Sequence, residues 1–289
     1  MVNLAIVGDI HLHFDEADVA YFNQSDYDLI LFVGDLSNYR PRGGLPIARR
    51  IARIEKPVIF MPGNHDTTNI WQLAAEIWQK PWLARWGALG QARRVGALEK
   101  ALGTAVSAGY STHHFPQFDL VAARPFSMGG PTLSFQPYMK RRYGITSLDQ
   151  SAERLRQCVD QAQSERLIFL AHNGPTGLGQ APTDIWGRDF GPGGGDFGDP
   201  DLEQAIIYAQ EQGRQVLAVF AGHLHRQTKN GRQRLWLVEK EGTQYVNAAC
   251  VPRIFEREGG VVRHHVRLVV GETAVTVTEA FVPSPNSAI

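Results

Sequence analysis

Five apolar runs in this 289-residue chain each end in a small residue and then in groups that bind cations. Residues 4–7 lead to Gly8-Asp9-Ile10-His11, residues 29–33 to Gly34-Asp35, and residues 58–61 to Gly63-Asn64-His65-Asp66. Residues 167–171 lead to His172-Asn173, and residues 216–221 to Gly222-His223-Leu224-His225. Asp, His and Asn offer oxygen and nitrogen donors suited to divalent transition metals, and no sulfur competes. Taken singly, each fragment has an ordinary explanation, since Gly-Asp often makes a turn or cap and a lone His often satisfies a core hydrogen bond. Five in succession, with Asp-x-His and His-x-His spacings, point instead to one shared metal site.

The elements that must position these groups follow from the pattern around them. The five runs read as short buried strands, and the stretches between them have helical periodicity, as in Leu45, Ile47, Ala48, Ile51 and Ile54 or Leu155, Cys158, Val159 and Ala162. Alternating strands and helices predict an α/β layered fold, whose strand ends converge at one edge where ligands bind. From Arg234 onward, period-two segments over 235–238, 244–247, 262–270 and 274–281, with turns at Gly259-Gly260 and Gly271-Glu272, predict an antiparallel meander. No repeat or Pro/Ser-rich linker divides the chain. A single domain over 1–289 is expected, with the strand-rich part, about 234–282, inside it.

Lys+Arg 29 against Asp+Glu 29 gives no basic excess, which disfavours a dedicated nucleic-acid binder. Cys158 and Cys250 are too few for a disulfide framework or a thiolate zinc site, so a reducing compartment is expected. The first residues lack a basic n-region and a signal-length apolar run, and nothing approaches the roughly 20 apolar residues needed to span a bilayer. A cytoplasmic protein with no membrane partner is the expectation; the oligomeric state is left open.

The ordered blocks resemble the calcineurin-like metallophosphoesterase family: Asp-x-His at Asp9, Gly-Asp at Asp35, Gly-Asn-His-Asp at Asn64, a later His at His172, and Gly-His-x-His at His223. The resemblance covers nearly the whole chain. It implies a four-layer α/β/β/α sandwich of two mixed β-sheets flanked by helices, with two divalent metal ions at the sheet edge. It further implies that Asp9, His11 and His225 hold one ion, that Asn64, His172 and His223 hold the other, and that Asp35 bridges them. His65, followed by Asp66, matches the family's catalytic histidine, with the Asp66 carboxylate expected to orient the imidazole. Tyr39 stands where the family's protein phosphatases carry a phosphate-gripping Arg, which argues against a phosphoprotein substrate. Asp66 in place of Glu is more similar to the small-substrate branches. The block around His172, with the insert from Trp186 to Phe190, is similar to a subgroup from photosynthetic organisms.

Two divalent ions against Asp9 and Asp35 leave a surplus of about two positive charges for a phosphate. A bridging water, its pKa lowered towards neutrality, would supply the attacking hydroxide. Manganese is the first choice of metal, with iron, zinc or nickel as others that nitrogen/oxygen ligands accept. The expected activity is hydrolysis of a small phosphate mono- or diester; the rivals are a metal-dependent nuclease and a non-catalytic scaffold. Elsewhere, Trp71, Trp78, Trp82 and Trp86, spaced seven, four and four, are expected to pack in the core, with Pro81 ending or kinking their helix. The pairs His113-His114 and His264-His265 are expected in exposed positions, and Arg124 and Arg188 on solvated faces. The glycine-rich segment 191–198 is expected to be a surface connection, its alternative a rim over the site.

Overall fold

In the first strand, Leu4 and Ile6 face one apolar cluster while Ala5 and Val7 face another, and none of the four is exposed. Such a strand needs cover on both faces. The computed structural model, which describes residues 1–38, 41–78, 80–191 and 194–284, supplies that cover as four layers. In chain order the elements are β1 (Val2–Val7), α1 (Glu16–Gln24), β2 (Leu29–Phe32), α2 (Gly44–Ile51), β3 (Val58–Phe60), α3 (Ile70–Ile77), α4 (Pro81–Gly87), α5 (Gln91–Leu102), β4 (Val106–Ser107), β5 (Ser111–Phe115) and β6 (Phe118–Ala122). There follow α6 (Gln136–Tyr143), α7 (Leu148–Asp160), β7 (Arg166–Leu170), α8 (Pro200–Glu211), β8 (Gln215–Ala221), β9 (Leu237–Lys240), β10 (Thr243–Asn247), β11 (Ile254–Arg257), β12 (Gly260–Val270) and β13 (Val275–Pro283).

A seven-stranded sheet has the order β11-β12-β1-β2-β3-β4, with β13 also paired to β12. Its strands β1 to β4 run parallel, and β12 is antiparallel to β1. A six-stranded sheet has the order β5-β6-β7-β8-β10-β9, parallel from β6 to β10. Ile6, Leu31, Leu120, Ile168, Phe220 and Val246 fill the space between the sheets. Phe22, Ile51 and Leu98 of α1, α2 and α5 cover the outer face of the first sheet. Leu155, Cys158, Leu202 and Ala205 of α7 and α8 cover the second. This is the expected α/β/β/α sandwich of two mixed sheets.

The C-terminal strands correct the expectation of one meander. β9 and β10 join the second sheet, where β10 lies parallel to β8, whereas β11, β12 and β13 extend the first. Period-two patterning reports a half-buried strand but carries no information about which sheet receives it. The chain crosses between the sheets after Asn247, with Ala248 buried in the cluster they share.

Two further expectations fail. Trp71, Trp78, Trp82 and Trp86 are not core residues; they are 62%, 61%, 64% and 71% exposed. Pro81 opens α4, and α3 packs on the core through Leu73, on the side away from Trp71. Helical spacing establishes that residues share a face, not that the face points inward. Conversely, His264 and His265 are buried, because the rings of Tyr21, Phe22 and Tyr27 pack around His265 and Phe281 packs on His264. The His265 imidazole Nε2 lies 2.7 Å from the Tyr27 hydroxyl, and His264 Nε2 lies 3.0 Å from the Glu279 carboxylate. His113 and His114 lie on β5, partly exposed as expected.

Candidate metal centre

Strand register brings the chemistry to one edge. Val7, Phe32 and Phe60 are partners across β1, β2 and β3, and Leu170, Phe220 and Val246 across β7, β8 and β10, so the loops that follow leave each sheet at one level. The two edges are tied across the sandwich. The His172 Nδ1–H donates to the Val33 carbonyl at 2.7 Å, and the His223 backbone N–H donates to Asp9 Oδ2 at 3.1 Å.

The motif glycines are required by close approach. A Cβ at Gly63 would stand 2.2 Å from Asp35 Oδ1 and 2.6 Å from His172 Cε1, and one at Gly222 would stand 2.2 Å from Asp9 Oδ1. Three of the polar residues themselves, His11 (φ 41°), Asp35 (φ 53°) and His223 (φ 66°), hold left-handed backbone conformations that L side chains rarely adopt. Strain of this kind, on the order of 1–3 kcal/mol per residue, persists where the surroundings impose it and concentrates at functional sites.

Two groups of three residues could each hold a metal ion: Asp9, His11 and His225, and Asp35, His172 and His223. Because His172 Nδ1 donates to Val33 and His223 Nε2 donates to the Met128 carbonyl at 3.0 Å, each ring presents a lone pair on its other nitrogen. Those lone pairs, His172 Nε2 and His223 Nδ1, lie 2.9 and 3.0 Å from the Asn64 side-chain oxygen, itself an acceptor. On the other side, His11 Nδ1 donates to Asn38 Oδ1 at 2.9 Å, leaving His11 Nε2 to face His225 Nε2 at 3.0 Å. Asp9 Oδ2 is 3.4 Å from His225 Nε2. Asp35 faces both groups, with Oδ2 3.8 Å from His11 Nε2 and Oδ1 3.6 Å from His172 Nε2. With these imidazoles neutral, their inward nitrogens, the Asn64 oxygen and the carboxylates of Asp9 and Asp35 make a donor set complementary to cations.

The electrostatics agree. Burial works to raise the Asp35 carboxyl, but the His172, His65 and His11 imidazoles hold it below its ordinary range. Asp9 is likewise held low against burial by His225 and His172. Burial, then the neighbouring His172, pushes His223 down to about 3, which favours the neutral, ligating imidazole. His172 and His225 are raised, since the Asp35 and Asp9 carboxylates outweigh the burial that lowers them.

His65 borders this centre, with Nε2 3.9 Å from Asp35 Oδ2 and its backbone N–H donating to Asp35 Oδ1 at 2.9 Å. Asp66 does not take the expected orienting part. Its Oδ2 accepts from the Gly63 and Asp35 N–H groups at 2.6 and 2.9 Å, and its Oδ1 from Leu36 N–H at 2.7 Å. The carboxylate therefore fastens the loop after β2 to the loop after β3, because three convergent N–H donors outcompete a single imidazole. Adjacency in sequence gives no measure of side-chain direction.

A cavity of about 790 Å³ opens over Asp35, Asn64, His65, His223 and His225. Its far wall includes Met128, Arg188, Phe190, Phe197 and Lys229. Phe190 and Phe197 meet edge to face, and the Lys229 ammonium sits 5.3 Å from the Phe190 ring centre. Of the segment 191–198, Phe197 stands in the cavity wall; Pro192 and Gly193, like Tyr39 and Arg40, lie outside the described residues. Arg124 is corrected too: it is buried, paired with Asp199 at 3.0 Å and Asp201 at 2.8 Å behind the site. The orienting carbonyls of Val33 and Met128 could not be read from the sequence, because a backbone group carries no residue-type signal. Phe190 and Phe197 could have been flagged by their places flanking the glycine cluster.

A family model described as calcineurin-like phosphoesterase matches residues 2–227. No curated protein matches the sequence. Among solved structures, the chain is similar to a protein of Thermus thermophilus, with 12% identity, a TM-score of 0.53, and coverage of 96% of this chain and 98% of that one. It is also similar to the NAD nucleotidase of Haemophilus influenzae, with 11% identity and a TM-score of 0.50, covering 98% of this chain and 49% of that one. At these identities the likeness concerns the fold alone.

Proposed function

The chain belongs to the calcineurin-like phosphoesterase family, and from that premise we propose that it is a dinuclear metal-dependent hydrolase of small phosphate mono- or diesters. The observation that carries this reading is the convergence of lone pairs from Asn64, His172 and His223 on one side and from His11 and His225 on the other, with one Asp35 oxygen directed at each group. Asp9, His11 and His225 would hold one ion, Asn64, His172 and His223 the second, and Asp35 both. Manganese is the metal we favour. Bound divalent cations would supply charge neutralisation at the phosphoryl oxygens and acidify a coordinated water.

The chain's own residues do the rest. The Val33 and Met128 carbonyls fix the tautomers of His172 and His223, so that the ligating nitrogens face inward before any ion arrives. His65 stands on the cavity wall, placed to hydrogen-bond the departing oxygen and pass it a proton. Burial holds its imidazole below its usual value, and a phosphate anion in the cavity would raise it again. Lys229 and Arg188 border the space where the ester's phosphate or its substituent would lie, and Phe190 and Phe197 offer it an apolar face.

Four substrates separate this reading from its rivals: p-nitrophenyl phosphate, bis(p-nitrophenyl) phosphate, a cyclic nucleotide and plasmid DNA, each with manganese and after chelation. Chelator-sensitive turnover of the small esters alone is expected. Cleavage of DNA would favour the nuclease, and silence on all four with metal present would favour the scaffold.

A further inference from the structure

Helices α3 and α4 carry a surface that the phosphoesterase reading does not use. Trp71, Trp78, Trp82 and Trp86 stand exposed there, joined by Ile70 and Leu89 at 59% and 62%. Soluble surfaces scatter single apolar residues but rarely gather six in one short segment. The spacing explains the gathering, since Trp71 and Trp78 are seven apart, and Trp82 and Trp86 share one face of α4 at i and i+4.

The charges alongside have one sign. Lys80, Arg85 and Arg93 are exposed within and just after this segment. Between residues 70 and 94 the sole carboxylate is Glu76. It faces inward, accepting the Phe135 backbone N–H at 2.9 Å, and burial pushes it up to about 7. The segment is therefore locally basic in a chain whose formal charge is zero.

We propose that this face docks on an anionic lipid bilayer surface. Indole rings favour the boundary between headgroups and acyl chains, and cations beside them gain from anionic headgroups. Ile70 and Leu89 fit that boundary, where aliphatic side chains bury among acyl chains. Helices of eight and seven residues are far below the roughly 20 needed to span a bilayer, so they would lie in its plane. Among the described residues no helix is long and apolar enough to cross a membrane, which concerns crossing and not docking.

The test is sedimentation of the full chain with phosphatidylcholine vesicles with and without phosphatidylserine, alongside tryptophan emission. Binding that requires phosphatidylserine, weakens with salt and shifts the emission to the blue is expected. Trp82→Ala/Trp86→Ala should abolish the blue shift and most of the binding, and Lys80→Gln and Arg85→Gln should each weaken binding about fivefold. Hydrolysis of soluble aryl esters should be unchanged by the Trp82→Ala/Trp86→Ala pair, which keeps the docking result separate from the phosphoesterase reading. No binding to anionic vesicles would overturn the proposal, as would equal binding by the double variant. So would displacement of the vesicles by a single-stranded oligonucleotide, or a dimer that the double variant dissociates without any vesicle binding in the parent.

Discussion

Gly63→Ala should empty half of the metal centre while leaving the sandwich folded. The added Cβ would lie 2.2 Å from Asp35 Oδ1, 2.7 Å from Asp35 N and 2.6 Å from His172 Cε1, where ordinary contacts begin at 3.4 Å. Relief requires Asp35 or Gly63 to move by about 1 Å, and a ligand constellation tolerates displacements of only about 0.5 Å. The same movement strains the His65 N–H bond to Asp35 Oδ1 and the Gly63 N–H bond to Asp66 Oδ2. Overpacking of this size costs about 1–3 kcal/mol, and for a chain of this length each kcal/mol lowers Tm by about 2–4 °C. The variant should therefore melt several degrees lower, yet cooperatively, while manganese per chain falls well below the parent's and ester hydrolysis falls with it. Gly222→Ala is the counterpart, since its Cβ would meet Asp9 Oδ1 at 2.2 Å and so strike the other group. Gly63→Ala protein with parental metal content and turnover would refute the reasoning, because it would mean that Asp35 and His172 are free to shift without consequence.

His65→Asn should retain metal, since no ligand atom is removed, but lose on the order of 10²–10⁴ in kcat, the range that a positioned proton donor contributes. Parental turnover would remove His65 from the mechanism. Glu76→Gln tests a titration away from the ligand set. Burial raises this carboxyl from 4.5 to about 7, so the folded chain holds the proton more tightly than the unfolded one. The stability it confers is complete below pH 4.5 and is lost as pH climbs towards 7. Gln keeps an acceptor for the Phe135 N–H without titrating, so the variant should match the parent below about pH 4 and exceed it by on the order of 1–3 kcal/mol at pH 8 in denaturant unfolding. Parallel pH profiles for the two proteins would count against it.

Much of the sandwich was legible because its inner strands are short, apolar and spaced by helical patterns; the strands predicted at 4–7, 29–33, 58–61, 167–171 and 216–221 correspond to β1, β2, β3, β7 and β8. What failed was information that sequence periodicity does not hold. The period-two tail revealed strands but not their division between sheets, and β11 was missed because Ile254-Phe255-Glu256-Arg257 reads as two apolar then two charged residues, with no alternation. The tryptophans and the pair His264-His265 failed in opposite directions for one reason. A face or a strand can be recognised locally, but its burial is decided by what the distant chain lays against it, here nothing described over Trp82 and Trp86, and Tyr21, Phe22 and Tyr27 around His265. At the metal centre the donor types were legible, and the structure brings Asp9, His11, Asp35, Asn64, His172, His223 and His225 together. The direction of Asp66 was not legible, because the amides of Gly63, Asp35 and Leu36 that capture it belong to a loop crossing settled only by tertiary structure.

The same convergence would couple the loops to a bound cation. Asp9 and Asp35 are buried, and around them the side-chain donors of Asn64, His172, His223, His11 and His225 approach one another within 3.0 Å. A cation placed there replaces repulsion by attraction, and a ligand at a hundredfold its Kd stabilises the folded state by about 2.7 kcal/mol. The gain is local. The helices α1, α2, α7 and α8 are held through Phe22, Ile51, Leu155 and Leu202, which contribute to apolar clusters rather than to the metal centre. Removing the metal should therefore raise amide exchange in the loops around Asp9, Asp35, Asn64 and His223 while leaving β2, β7 and β8 protected. Uniform exchange across the strands after chelation would mean that the ion supports the whole sandwich and not only its edge.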